Sequence, residues 1–261
     1  MVRVREGTLH SFGQGQHFPP LTLKILRPGF SLVELLVVIA IIALLLSILT
    51  PSLGKAKSMA MRVRCAHNLK QINLAVNLYL NGNNDTYPCA EDPLPSGYWL
   101  WMGRGWRGFL EPYLGGNIDA NNPSVLFCPQ DRSKDYQSTS YAYSMAFYHS
   151  PQQIDLLSCT EKHAEQCGGG AVTPVPQRSS DVAKPAGKIL IGEWESNHIR
   201  TEYEDKWWCK GWWSSQGSRN FLFADGQIRF LNTSQIRKAR DGNPNPNLTF
   251  GGIKGKDWPT N

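Results

Sequence analysis

The 261-residue chain lacks the compact motifs of nucleotide and acyl-transfer chemistry: it has no P-loop, no Rossmann-type dinucleotide fingerprint and no nucleophile elbow. The Ser-x-x-Lys spacing of Ser52 and Lys55 falls inside a helical pattern and is a coincidence. Charge is also sparse, at 18% of residues. The net charge of +6 is not a nucleic-acid footprint, because half of it lies in residues 1–29, where Arg3, Arg5, Lys24 and Arg27 face only Glu6. Against these absences, 41% of the residues are hydrophobic, which excludes a disordered chain. Most of the 24 Gly and 17 Pro follow residue 80, which predicts a loop-rich C-terminal body.

The most informative stretch is apolar. From Leu35 to Leu46 no polar residue occurs, and between Leu32 and Leu49 only Glu34 and Ser47 interrupt. About 18 residues at 1.5 Å each reach roughly 27 Å, near the hydrocarbon thickness of a bilayer. There is no polar stripe at helical period, so the segment is apolar all round and reads as membrane-spanning. Lys24 and Arg27 precede it, which predicts a cytoplasmic N-terminus and an extracytoplasmic body. A secretory signal would need a small-x-small cleavage site after the apolar core, and Thr50-Pro-Ser-Leu-Gly54 fits poorly. A plain anchor leaves Glu34 without a role, since a carboxylate at that depth requires a partner.

Gly29-Phe30-Ser31-Leu32-Val33-Glu34-Leu35-Leu36-Val37-Val38-Ile39 resembles the cleavage and methylation motif of type IV pilins and type II secretion pseudopilins. The resemblance implies that residues 1–29 are a leader removed by a prepilin peptidase, which cuts after Gly29 and methylates the new amine of Phe30. Such a leader is long for the family, and Pro28 stands where a basic residue is common, so a translation start nearer Leu21 stays open. The resemblance further implies that Glu34 pairs with the N-terminal amine of a neighbouring subunit, and that Pro51 is the site of a helix bend. It implies no enzymatic activity, but a filament subunit whose partners are copies of itself or other pilin-like subunits, the peptidase and the inner-membrane assembly machinery. The expected location is the inner membrane, crossed once.

Residues 30–51 are thus expected to form the transmembrane and assembly helix, and 52–82 its amphipathic continuation. Leu53, Ala56, Ala60, Val63, Ala66, Leu69, Ile72, Ala75, Val76 and Leu78 recur at three- and four-residue spacing, ending at Asn81-Gly82. Residues 83–261 are expected to form an extracytoplasmic β domain, making the chain α+β: a long bent helix packed on a small antiparallel sheet with long loops. Candidate strand segments are Tyr98–Met102, Val125–Phe127, Ser140–Phe147 and Lys188–Gly192. Phe221–Leu231, centred on Asp225-Gly226, reads as a hairpin whose turn residues both tolerate positive φ. That hairpin, Leu126-Phe-Cys128-Pro129 and Tyr141-Ala-Tyr143 also resemble a pseudopilin-like group with a large C-terminal domain. The group carries a His ten residues before the Asp, where this chain has Ser215.

Six cysteines (Cys65, Cys89, Cys128, Cys159, Cys167 and Cys209) favour disulfides in an oxidising compartment. Cys159–Cys167 and Cys89–Cys128 are the expected pairs. Cys159, His163 and Cys167 could alternatively ligate zinc, but a recognisable fourth ligand is missing. No cofactor is expected, with calcium at Asp225, Glu193 and Glu195 as a further candidate. The acidic cluster formed with Glu202, Glu204 and Asp205 otherwise reads as a solvated loop. Trp207, Trp208, Trp212 and Trp213, interleaved with Lys206 and Lys210, could stack on sugars or bases. Two rival functions follow from them, a membrane-tethered carbohydrate-binding protein or hydrolase and a DNA-uptake minor pilin. Loop packing against the sheet is the simpler account, and no nucleic-acid partner is expected.

Overall fold

The computed structural model describes residues 29–89, 106–115, 125–131, 139–156, 173–199 and 216–259. It is α+β: helix α1 (Leu32–Gly82) precedes a four-stranded antiparallel sheet, with the short helices α2 (Trp106–Leu110) and α3 (Pro151–Leu156) between. Two compact units are present, residues 1–50 and 51–261.

In the first unit, α1 carries the apolar run, and every residue from Leu32 to Thr50 is exposed. Its mean hydropathy reaches 3.1 over an 18-residue window, long and apolar enough to cross a membrane. Ser47 and Thr50 do not disturb this surface: their hydroxyls donate to the carbonyls of Leu44 and Leu46, both at 2.7 Å.

In the second unit, α1 continues through Pro51 and changes character. Proline lacks the N–H that would bond the Ser47 carbonyl, yet the helix is not broken there. Cys65, Asn68, Leu69, Ile72, Ala75, Val76 and Leu80 are buried at three- and four-residue spacing. The apolar residues of the sequence pattern divide between two faces. Leu53, Ala56, Ala60, Val63 and Leu78 are exposed and lie, at about 100° per residue, on the side of the helix roughly opposite the buried Cys65, Leu69, Ile72 and Val76. The helix ends where the sequence pattern placed it, at Gly82, and the left-handed residues are Asn84 and Asp85, at φ 53° and 55°. Their short polar side chains make them the usual non-glycine occupants of that region.

The sheet runs in the order β1 (Tyr141–Tyr143), β2 (Ile189–Glu193), β3 (Ser218–Phe223) and β4 (Ile228–Asn232). Tyr141 pairs with Glu193, Gly192 with Phe221, and Asn220 with Phe230. Alternation along the strands separates two cores. Tyr141, Tyr143 and Leu222 join Leu69, Ile72 and Val76 of α1, whereas Ala142, Phe221, Phe223 and Leu231 pack with Ile236 and Trp258. Polar ties fix the helix to the body: the Tyr141 hydroxyl donates to the Cys65 carbonyl at 3.3 Å, and Asn68 Nδ2 to the Phe127 carbonyl at 2.9 Å.

The expected hairpin is present with a different turn. Leu222 pairs with Ile228, and Phe223 N donates to Gln227 O at 2.9 Å, leaving three residues in the loop. Only Gly226 has positive φ, 83°, and Asp225 instead accepts from Gln227 N at 2.9 Å. The positive φ favours glycine at 226, and a Cβ there would lie 2.8 Å from Asn73 Nδ2 of α1, so another residue would also have to displace that side chain. Two other expected strands change. Val125–Phe127 is a turn, and the strand expected over 140–147 stops at Tyr143, because Ser144 caps a 3₁₀ turn over Met145–Phe147. Tyr98–Met102 lies outside the described residues.

The C-terminal segment is pinned by a buried ion pair. Lys188 Nζ lies 3.1 Å from Asp257 Oδ2 and donates to Thr249 Oγ1 at 2.6 Å, while Ile189 N donates to Asp257 at 2.8 Å.

Candidate processing and assembly site

The Gly29–Phe30 bond lies in non-helical, exposed backbone directly before α1. A Cβ at Gly29 would meet nothing within 4 Å, and Phe30 is 71% exposed. Non-helical, uncovered backbone leaves that bond open to approach. The helix then starts with a capping box. Ser31 Oγ accepts from Glu34 N at 3.1 Å, and Ser31 N donates to Glu34 Oε2 at 2.8 Å. Glu34 thus has a local partner within its own chain, which the sequence reasoning did not foresee. That partner is a neutral N–H, so hydrogen bonding is supplied and the negative charge is not balanced. Pro51 lies within α1, where it removes one backbone donor.

The candidate calcium residues do not form one site. Glu193 ends β2, fully buried, while Asp225 sits in the β3–β4 turn at the far end of β3 from Asn220, the residue that contacts Glu193. Five residues at about 3.3 Å each separate Asn220 from Asp225 along the chain. Glu195 is buried in the bend after β2.

The cysteine expectations also need correction. Cys128 is bonded to Cys65, 63 residues away, and Cys89 is free. Cys65 is a fully buried residue of α1, and the Asn68 and Tyr141 hydrogen bonds draw the 125–131 loop over that face. Neighbouring loops therefore give no guide to the pairing. Burial pushes the half-buried Cys89 thiol above its ordinary pKa, which lowers its reactivity. Cys159 and Cys167, the acidic residues 202–205 and the Trp and Lys residues of 206–213 lie outside the described residues.

Around the disulfide is a polar cluster that sequence reasoning missed. Glu193 accepts from Asn220 N at 2.9 Å and Nδ2 at 2.8 Å, and His198 Nε2 lies 2.9 Å from Glu193 Oε1. His198 Nε2 is also 3.6 Å from Cys128 Sγ, and its Nδ1 contacts Gln130 Oε1. No periodic signal marks His198 or Gln130, because both belong to loops.

Residues 27–50 match the family model of the prokaryotic N-terminal methylation motif. No curated protein and no solved structure matches the chain. The match spans the open Gly29–Phe30 bond, the capped helix start and the apolar surface that follows. On these residues the chain carries the signature of the pilins and pseudopilins.

Proposed function

We propose that the chain is a pilin-like structural subunit of a type II secretion pseudopilus or a type IV pilus, whose work is binding rather than catalysis. The precursor enters the inner membrane through α1 with its N-terminus in the cytoplasm. A prepilin peptidase cleaves Gly29–Phe30 and methylates Phe30, and the mature chain then polymerises through its helix. The carrying observation is the uncovered apolar surface of Leu32–Leu49, headed by the exposed Gly29–Phe30 bond. Lipid covers that surface before assembly and neighbouring helices cover it afterwards. Beyond the bilayer, the exposed residues Leu53, Ala56, Ala60 and Val63 supply further helix-packing surface of the same kind. Polymerisation also gives Glu34 the positive charge it lacks, from the Phe30 amine of an adjacent subunit.

N-terminal mass spectrometry of protein extracted from the membrane tests this reading. The expected terminus is N-methylated Phe30. Mature protein that begins upstream of Gly29, in cells that contain an active prepilin peptidase, overturns it.

A further inference from the structure

We propose that the buried cluster of Cys65, Cys128, His198 and Glu193 is a metal site of zinc type, closed by the disulfide and opened by its reduction. One donor atom from each residue lies within 4.8 Å of all the others. The four come from separate parts of the fold: α1, the loop before β1, the bend after β2 and the end of β2. Burial is nearly complete, since Cys65, Cys128 and Glu193 are at most 3% exposed and the His198 side chain 1%. In the oxidised protein the buried Glu193 carboxylate meets His198 at 2.9 Å and two donors of Asn220, so these two side chains are held in place before the sulfurs are freed.

The orientation of His198 decides between a metal centre and a nucleophile–base relay. In a relay the thiol and the orienting carboxylate occupy opposite ring nitrogens. Here Cys128 Sγ and Glu193 Oε1 both face Nε2, at 3.6 and 2.9 Å, while Nδ1 is held by Gln130. Three donors converge on one point, and the far side of the ring is oriented by a side-chain carbonyl, as for a metal-ligating histidine. Glu193 is similarly held, by Asn220 N and Nδ2. A tetrahedral zinc with its usual bond lengths needs donor–donor edges of roughly 3.3–3.8 Å. The nitrogen–sulfur edge already fits, the nitrogen–oxygen edge must open by a few tenths of an ångström, and the sulfur–sulfur edge must open from bonding distance to roughly 3.8 Å once the disulfide is reduced. Two sulfurs, one nitrogen and one oxygen select zinc over calcium or magnesium.

Metal entry needs thiolates, so the disulfide excludes it. A phosphine reductant takes up the oxygen of one water as its oxide and leaves two thiols. Zinc binding then expels the two thiol protons. The inference is independent of whether the chain polymerises.

The test uses the full chain in detergent, reduced anaerobically with a water-soluble phosphine, desalted and titrated with zinc or cobalt(II). The expected result is one equivalent bound by the reduced protein and none by the oxidised protein. Cobalt should show thiolate charge transfer and the intense ligand-field bands of a tetrahedral site. His198→Ala and Glu193→Gln should each weaken binding at least tenfold, and Cys159→Ser/Cys167→Ser should leave it unchanged. Cobalt spectra of the unaltered chain report the thiolates directly, so a variant that fails to fold does not spoil the test. Reduced protein with native circular dichroism and no bound metal overturns the proposal. So does binding that survives Cys65→Ser/Cys128→Ser.

Discussion

Replacing both Cys65 and Cys128 by serine removes the one covalent tie between α1 and the loop before β1. The bond closes a 63-residue segment. In the chain-entropy treatment, a loop of that size restricts the unfolded chain by about 4 kcal/mol. A folded unit of this size shifts its Tm by about 2–4 °C per kcal/mol, so the variant should melt roughly 8–16 °C lower. The assay is denaturation of the full chain in detergent, followed by near-UV circular dichroism from the tyrosines around the sheet. The mechanism makes a second demand. Freed of its cross-link, the unfolded chain exposes more surface, and the urea m-value must rise. A Tm change under about 3 °C would refute the magnitude. A large loss of stability with an unchanged m-value would place the effect in native packing, and the entropic argument would fail.

Glu34→Ala should insert into the membrane normally but fail to assemble. Glu34→Gln separates two roles, because it preserves the capping box with Ser31 and removes the charge; filaments from the Gln variant, counted by electron microscopy, would refute the charge-pairing argument. Burial lowers the pKa of His149 to about 4, against an ordinary value near 6.5. Between these values the unfolded chain binds the proton more readily, so about 3 kcal/mol of stability should be lost as pH falls from 6.5 to 4. Urea titrations at pH 7.5 and 4.5 should show that loss reduced in His149→Phe; an equal loss in both proteins would refute it. Lys188→Met strands the buried Asp257 carboxylate and should cost about 3–5 kcal/mol, with part recovered in Lys188→Met/Asp257→Asn. A single variant as stable as its parent in urea would show that the pair is dispensable.

Local rules served well where one segment decided its own structure. The apolar run, the helix to Gly82 and the Asp225-Gly226 hairpin all follow from period and turn chemistry. Errors arose where tertiary contacts choose among acceptable local options. Leu53, Ala56, Ala60 and Val63 share the three- and four-residue spacing of Leu69 and Ile72 but fall on the other side of α1, which the body leaves exposed. Spacing specifies which face is apolar and not what covers it. The Cys65–Cys128 pair was illegible for a related reason: its members are joined by a helix face and a loop far apart in sequence. Glu193 stood out as an acidic residue, yet its use depends on His198 and Asn220, which only the β2–β3 pairing and the following bend bring to it.

The stitch between α1 and the 125–131 loop has a mechanical consequence. Hydrogen bonds such as Tyr141 to Cys65 and Asn68 to Phe127 give way one after another under load, whereas the Cys65–Cys128 bond transmits tension without yielding. Load on the stretch of α1 from Cys65 to Leu80 therefore reaches the 125–131 loop through a covalent joint at the start of the buried face.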